Sequence, residues 1–151
     1  AGKLEAATAA GADHTIDYTT ESLKDRAREL AGGTGVDVVV DPIGGDLADA
    51  ALRSLGLFGR YLVIGFAAGE IPRLPLNQVL LRNRAILGVD WGAWAMQFGE
   101  EQQQLLDDAM ALVDAGRLHP VEPNTYPFDR VADALTDLTS RKVTGKIVLV
   151  P

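Results

Sequence analysis

The sequence predicts an α/β domain built on a parallel sheet, and three observations carry that reading. First, Val36 to Val40 is an almost uninterrupted valine run closed by Asp41-Pro42, the pattern of a strand covered on both faces. Second, short β-rich segments alternate with segments of helical periodicity, which calls for crossover connections and hence parallel strands. Third, the 151 residues, 47% apolar and 23% charged, suit a single globular domain burying roughly two thirds of its unfolded surface.

The elements follow in order. Lys3 to Ala10 is rich in helix formers and stops at Gly11, so it reads as a helix. With no initiating Met, the chain is expected to begin inside a structural unit, with the strand before this helix elsewhere. His14 to Tyr18 (HTIDY) reads as a short strand, and Thr19-Thr20 as a cap for a helix over Glu21 to Ala31 that Gly32-Gly33 closes. The Val36 strand ends at Asp41, because proline cannot donate to a ladder and disfavours helix in the residue before it. Asp46 to Leu55 places Leu47, Ala50, Ala51 and Leu55 on one helical face, with Gly56 as its stop. Tyr61 to Gly65 is the next strand, Leu76 to Arg82 a short helix, and Ala85 to Asp90 a fourth strand. Glu100 to Ala115 carries an apolar stripe and ends at Gly116; Pro120 to Pro127 reads as a connector. A last helix marked by Val131, Ala132, Leu135 and Leu138 precedes the strand Lys146 to Val150. No internal repeat or low-complexity tract is present.

Composition narrows the function. A net charge of −7 argues against nucleic-acid and anionic-membrane partners, which need a basic face, while leaving room for a small phosphate-bearing ligand. The absence of Cys removes disulfides, thiolate metal sites and a catalytic thiol. No apolar stretch is long enough to span a bilayer and no signal-peptide pattern opens the chain, so a soluble, cytoplasmic protein is expected. His14 and His119 have no metal-ligand spacing around them and read as structural or surface residues.

Parallel strands bring their carboxyl ends to one edge, where open α/β sheets bind ligands. Here that edge gathers Asp17-Tyr18, Asp41-Pro42-Ile43-Gly44, Gly65-Phe66-Ala67 and Asp90-Trp91. Glycines there allow close backbone approach, and aromatics can pack on rings or sugars; ordinary turn glycines would look the same. No G-x-G-x-x-G occurs, and the glycine-rich Gly32 to Gly35 leaves a helix and enters a strand, the wrong order for phosphate binding.

Together, IDY at Ile16 to Tyr18, GVDVVVDPIGGD at Gly35 to Asp46, GRYLVIGFAAGEIPRLPLN at Gly59 to Asn77 and the closing VTGKIVLVP resemble the NADPH-dependent quinone oxidoreductases. These form the zinc-free branch of the medium-chain dehydrogenase/reductase superfamily. The resemblance covers essentially the whole chain and implies the C-terminal half of such an enzyme. That half is a partial Rossmann-type doubly wound sheet, lacking its first two strands and glycine-rich turn, over residues 1–124. Residues 125–151 then return to the catalytic domain as a helix and strand.

Roles follow from the same resemblance. Lys3 matches the lysine that pairs with the adenosine 2′-phosphate of NADPH, and Tyr18 an aromatic beside it. Gly65, Phe66 and Ala67 match the loop along the nicotinamide ribose, Ile43 and Gly44 the turn over the nicotinamide, and Asp90 and Trp91 the segment after the last strand. Without the family, Lys3 reads as a solvated helix lysine, and Trp91 and Trp94 suit core or interface packing as well as they suit substrate contact. The implied reaction is hydride transfer from NADPH to a quinone or an α,β-unsaturated carbonyl, with no catalytic general acid and no metal site in this chain. The chain alone is expected to be inactive. Two alternatives stand beside it: half of a zinc-dependent alcohol dehydrogenase or enoyl reductase, and a non-catalytic dinucleotide-binding or assembly module. In the doubly wound order 3-2-1-4-5-6, the His14 strand and the Val36 strand flank a two-strand gap. The Val36 edge is therefore expected either to pair with a second copy in a homodimer or to receive the His14 strand directly.

Overall fold

The computed structural model describes residues 2–140 and 142–151. The chain forms two compact units, one ending at Ala93 and the other starting at Trp94.

The first unit is an α/β layer. Helix α1 spans Gly2–Ala9 and α2 Leu23–Leu30; strand β1 is Val36–Asp41, helix α3 Leu47–Ser54 and strand β2 Leu55–Val63. A short α4 (Leu76–Leu80) and strand β3 (Ala85–Gly88) follow. The strands form one sheet in the order β1-β2-β3, both pairings parallel, with α3 and α4 as the intervening segments. The core lies where α3 packs on this sheet: Ala48, Leu52, Leu55 and Tyr61 are buried, with Val36, Val39, Ala51, Val63 and Ile86 around them. Arg84 is buried as well, and its guanidinium donates to the carbonyls of Leu55, Gly56 and Gln78, meeting main-chain oxygens where β2 begins.

The second unit holds α6 (Gly99–Asp114), β4 (Asn124–Pro127), a 3₁₀ turn at Phe128–Arg130, α7 (Val131–Thr139) and β5 (Ile147–Val150). Strands β4 and β5 pair in parallel with α7 between them. The Tyr126 hydroxyl donates to Asp137 at 3.0 Å, tying the first strand of this unit to its helix. The α5 helix (Trp91–Gln97) runs across the boundary between the two units.

Mixed α/β structure with small parallel sheets is what the sequence predicts, but several elements differ. His14 to Tyr18 is not a strand, and no strand among the described residues pairs with it. Asp17 bends the chain instead: its carboxylate accepts from the Thr19 N–H and hydroxyl, and its carbonyl from the N–H groups of Thr20 and Glu21. The expected closure of the His14 strand onto Val36 therefore does not occur, and β1 is an edge. The cap of α2 is Ser22, which accepts from the Asp25 N–H, rather than Thr19-Thr20. Strand β2 begins at Leu55, six residues before the expected Tyr61, although its regular ladder starts only at Arg60, opposite Val38. Between these points Phe58 adopts a left-handed φ of 60° and its N–H bonds to the Arg82 carbonyl. Strand β3 stops at Gly88 instead of Asp90, α4 stops at Leu80 instead of Arg82, and the expected connector contains β4. Helix α5 is unforeseen because WGAWAMQ is apolar or glycine everywhere but its last position, so no polar face sets off a helical stripe.

Gly35 shows how tightly the entry to β1 is set. It has a φ of +97°, and a Cβ there would sit 2.6 Å from the Gly56 nitrogen and 2.7 Å from the Ser54 oxygen. Gly35→Ala should cost about 2 kcal/mol or more, from the left-handed backbone and the backbone clash together. Urea denaturation of the variant against the parent chain checks this, and an unchanged midpoint would rule it out.

Candidate functional site

The carboxyl ends of β1, β2 and β3 stand side by side, as parallel pairing requires: Asp41 is level with Val63, and Val63 with Gly88. Beyond this line the chain leaves the ladder. The N–H groups of Ile64 and Gly65 both turn to the Asp41 carbonyl, at 2.9 and 3.4 Å. The loops after β1 and β2 are then stitched together: Ala67 donates to Pro42, Ala68 to Ile43, and Gly45 to Glu70, at 2.9–3.1 Å.

At the base of this stitching is Asp41. One carboxylate oxygen accepts from the N–H groups of Ile43 (2.8 Å) and Gly44 (3.0 Å), and the other from the Tyr61 hydroxyl. Tyr61 is 1% exposed and lies opposite Val39 on β2, two ladder positions below Asp41. Burial opposes ionisation of Asp41, but the three donors, Tyr61 foremost, outweigh it and hold the carboxyl below the usual carboxylate range. Burial, and then the bond to Asp41, pushes the Tyr61 phenol well above its ordinary value. Gly44 completes the turn with a φ of +67°, and a Cβ there would meet the Phe66 ring at 2.9 Å.

Two hollows open at this edge. The larger, ≈ 710 Å³, is lined by Val63, Ile64, Gly65, Phe66, Gly88, Val89, Asp90, Trp91 and Gly92. Three of these are glycines, and a Cβ on Gly88 would meet nothing within 4 Å, so at that point a flat ligand could approach the main chain of an otherwise apolar wall. Phe66 and Trp91 are 40% and 46% exposed. Asp90 turns its carboxylate to the Ala93 N–H at 3.0 Å in the first turn of α5. The smaller hollow, ≈ 350 Å³, runs beside the open edge of β1 and is lined by Tyr18, Val36, Val39, Val40, Asp41, Pro42 and Ile43 with residues of α2 and α3.

The structure thus brings together most of the residues singled out from the sequence. Gly65, Phe66, Asp90 and Trp91 share the larger hollow, and Tyr18 and Ile43 share the smaller. Gly44 and Ala67 sit in the stitched loops between them. Lys3 is exposed in the first turn of α1, and no hydrogen bond or ion pair among the described residues links it to Tyr18 or to either hollow. The residue that sequence reasoning passed over is Tyr61, whose relation to Asp41 depends on strand register. Among the described residues no cluster of His, Asp or Glu could hold a metal ion, and no helix is long and apolar enough to cross a membrane.

Comparison with known proteins gives this edge a lineage. A family model described as zinc-binding dehydrogenase matches residues 10–149. The chain belongs to that family. It is 37% identical over 147 residues to quinone oxidoreductase-like protein 2 of Bos taurus, covering 97% of this chain and 42% of the relative. Among solved structures, a quinone oxidoreductase of Pseudomonas syringae pv. tomato superposes with a TM-score of 0.88 at 27% identity, over 99% of this chain and 46% of the other. A mycobacterial protein in complex with NADPH gives 0.89 at 28% identity, over 100% of this chain and 46% of the other. The chain therefore spans less than half the length of the proteins it matches, and its α/β structure corresponds to part of the quinone oxidoreductase fold.

The Asp41–Tyr61 bond generates a pH prediction. A depressed carboxylate pKa contributes stability that is present above the unfolded value, about 3.9, and is lost as pH falls through the folded value. Tyr61→Phe removes one of the donors, so the NMR titration midpoint of the Asp41 carboxyl should rise. The stability gap between variant and parent should narrow as pH falls through that range. An unmoved midpoint would show that the hydroxyl does not hold the carboxylate.

Proposed function

We propose that this chain is the C-terminal half of an oxidoreductase that uses NADPH to reduce a quinone or an α,β-unsaturated carbonyl, comprising the C-terminal part of its cofactor domain and a last segment of its catalytic domain. The observation that carries the reading is the mainly apolar hollow where β2 and β3 end, bounded by Gly65, Phe66, Gly88 and Trp91. A nicotinamide ring and its ribose need such a bay, apolar and aromatic for the most part, with glycine where the ligand comes close to the main chain. Membership of the zinc-binding dehydrogenase family and similarity to an NADPH-bound structure support it.

In this reading, bound NADPH supplies the hydride and the protein supplies position and exclusion of water. The Gly65-Phe66-Ala67 loop lies along the nicotinamide ribose, and the turn at Ile43 and Gly44 covers the ring. Asp90 fixes the first turn of α5 through the Ala93 N–H and so sets where Trp91 stands at the rim. Lys3 and Tyr18 meet the adenosine 2′-phosphate, an ammonium and a phenol suiting a phosphate dianion where an NAD enzyme would place a carboxylate. No side chain of this segment acts as general acid, and the reduced product takes its proton from solvent. Residues 125–151 belong to the catalytic domain, and the intact enzyme is a cytoplasmic homodimer.

Two measurements test this. In the intact enzyme, Lys3→Ala should raise the KM for NADPH about tenfold or more and leave that for NADH almost unchanged; equal effects on both would remove Lys3 from the 2′-phosphate. The 151-residue chain alone should bind NADPH more weakly than micromolar in calorimetric titration, because the pyrophosphate needs a glycine-rich turn at a helix N-terminus that this sequence lacks. Micromolar binding would refute that division of labour.

A further inference from the structure

The pairing of Asp41 with Tyr61 does more than fill the core. Among the described residues Tyr61 is the largest fully buried side chain, yet it carries a hydroxyl into the protein and gives it to a carboxylate. A phenylalanine would fill the same space with no polar group to satisfy. The carboxylate in turn accepts from Ile43 and Gly44, the first N–H groups past the end of β1 that lead over the hollows. A charged acceptor holding two successive main-chain donors makes a stiff turn, since such bonds are about twice as strong as neutral ones. Pro42, fixed in φ, stands between the carboxylate and the turn it anchors.

The consequence reaches the next loop. Pro42 and Ile43 present their carbonyls to Ala67 and Ala68, and the Gly44 backbone abuts the Phe66 ring. Wherever Asp41 holds the β1 turn, the β2 loop must follow. Both loops are those that frame the proposed nicotinamide site, whereas neither Asp41 nor Tyr61 lines the larger hollow.

We infer that Asp41 and Tyr61 form a positioning pair, a strut from the buried Tyr61 hydroxyl to the half-buried Asp41 carboxylate that sets the height of the Ile43-Gly44 turn and the Phe66-Ala67 loop over the nicotinamide end of the dinucleotide. Neither residue touches the reacting atoms. The role rests on the reading given under Proposed function. A strut is needed because hydride transfer demands a near-attack geometry, and a displacement of about 1 Å costs on the order of a hundredfold in rate.

The test uses the intact enzyme and two ligands: NADPH, and adenosine 2′,5′-bisphosphate, which carries the phosphate end of the cofactor but no nicotinamide. Tyr61→Phe and Asp41→Ala should lower the hydride-transfer rate in single turnover by about tenfold to a hundredfold and weaken NADPH, while adenosine 2′,5′-bisphosphate binds as to the parent. Asp41→Asn, whose amide oxygen can still accept from both N–H groups, should recover much of the loss relative to Asp41→Ala. Because Tyr61→Phe keeps the buried ring, it reports on the strut even where Asp41→Ala folds poorly. Variants that weaken both ligands equally, or that leave hydride transfer unchanged, overturn the positioning role and leave the functional reading standing. A parent enzyme that binds neither ligand overturns that reading, and this role with it.

Discussion

The carboxylate of Asp41 is the constraint on which the carboxyl edge of the sheet depends. Its position at the last rung of the β1 ladder, level with Val63, places it where regular pairing ends and unpaired main-chain donors begin. An aspartate there satisfies two of those donors at once, and the proline that follows removes a third. From this point the loops after β1 and β2 become one body through carbonyl-to-amide bonds. The hollow at the ends of β2 and β3 takes one of its walls from that body.

The opposite end of the sheet solves the same problem with a cation. Where β2 departs from the ladder between Leu55 and Arg60, the carbonyls of Leu55 and Gly56 are met by the buried Arg84 guanidinium, and Arg28 also donates to Leu55. Burial is the main influence lowering the Arg84 pKa, with the neighbouring arginines acting in the same direction; in this setting the guanidinium remains a donor. A five-donor fork suits a place where several carbonyls point inward and no strand is available to pair them. The two ends of the sheet are thus met by opposite charges acting on opposite kinds of main-chain group, a carboxylate on the amides after β1 and a guanidinium on the carbonyls where β2 begins.

How much of this was legible in the sequence depends on how local each signal is. The Val36 run, the Gly116 stop, and the helical periodicity of α3 and α7 name their own elements, because periodicity and turn chemistry are written within a few residues; Gly56, expected to end α3, lies inside β2 instead, since the helix gives way to the strand at Leu55. The parallel β1-β2-β3 order followed from the alternation of elements. His14 to Tyr18 misled because its β-rich composition is equally compatible with the Asp17 turn that forms, and strand formation needs a partner that composition cannot supply. The site was half legible. Strand ends could be placed, so Gly65, Phe66, Asp90 and Trp91 were found together. The Asp41–Tyr61 bond joins positions 20 residues apart and exists only once the register of β1 on β2 is fixed, so no local pattern announces it. Arg84 is harder still, since an arginine between a short helix and a strand reads as solvent-facing until the irregular start of β2 is known.

The larger hollow lies where β2 and β3 end, with Gly65, Gly88 and Gly92 among its lining and Phe66, Asp90 and Trp91 at its rim. Its depth and width are therefore set by hydrogen-bonded strand ends, which drift little as sequences diverge. Its mouth is set by side chains, which change with single codons. A receptacle of this kind can keep one cofactor while exchanging the molecules that come to meet it, so new substrate preferences can arise at the rim without rebuilding the floor.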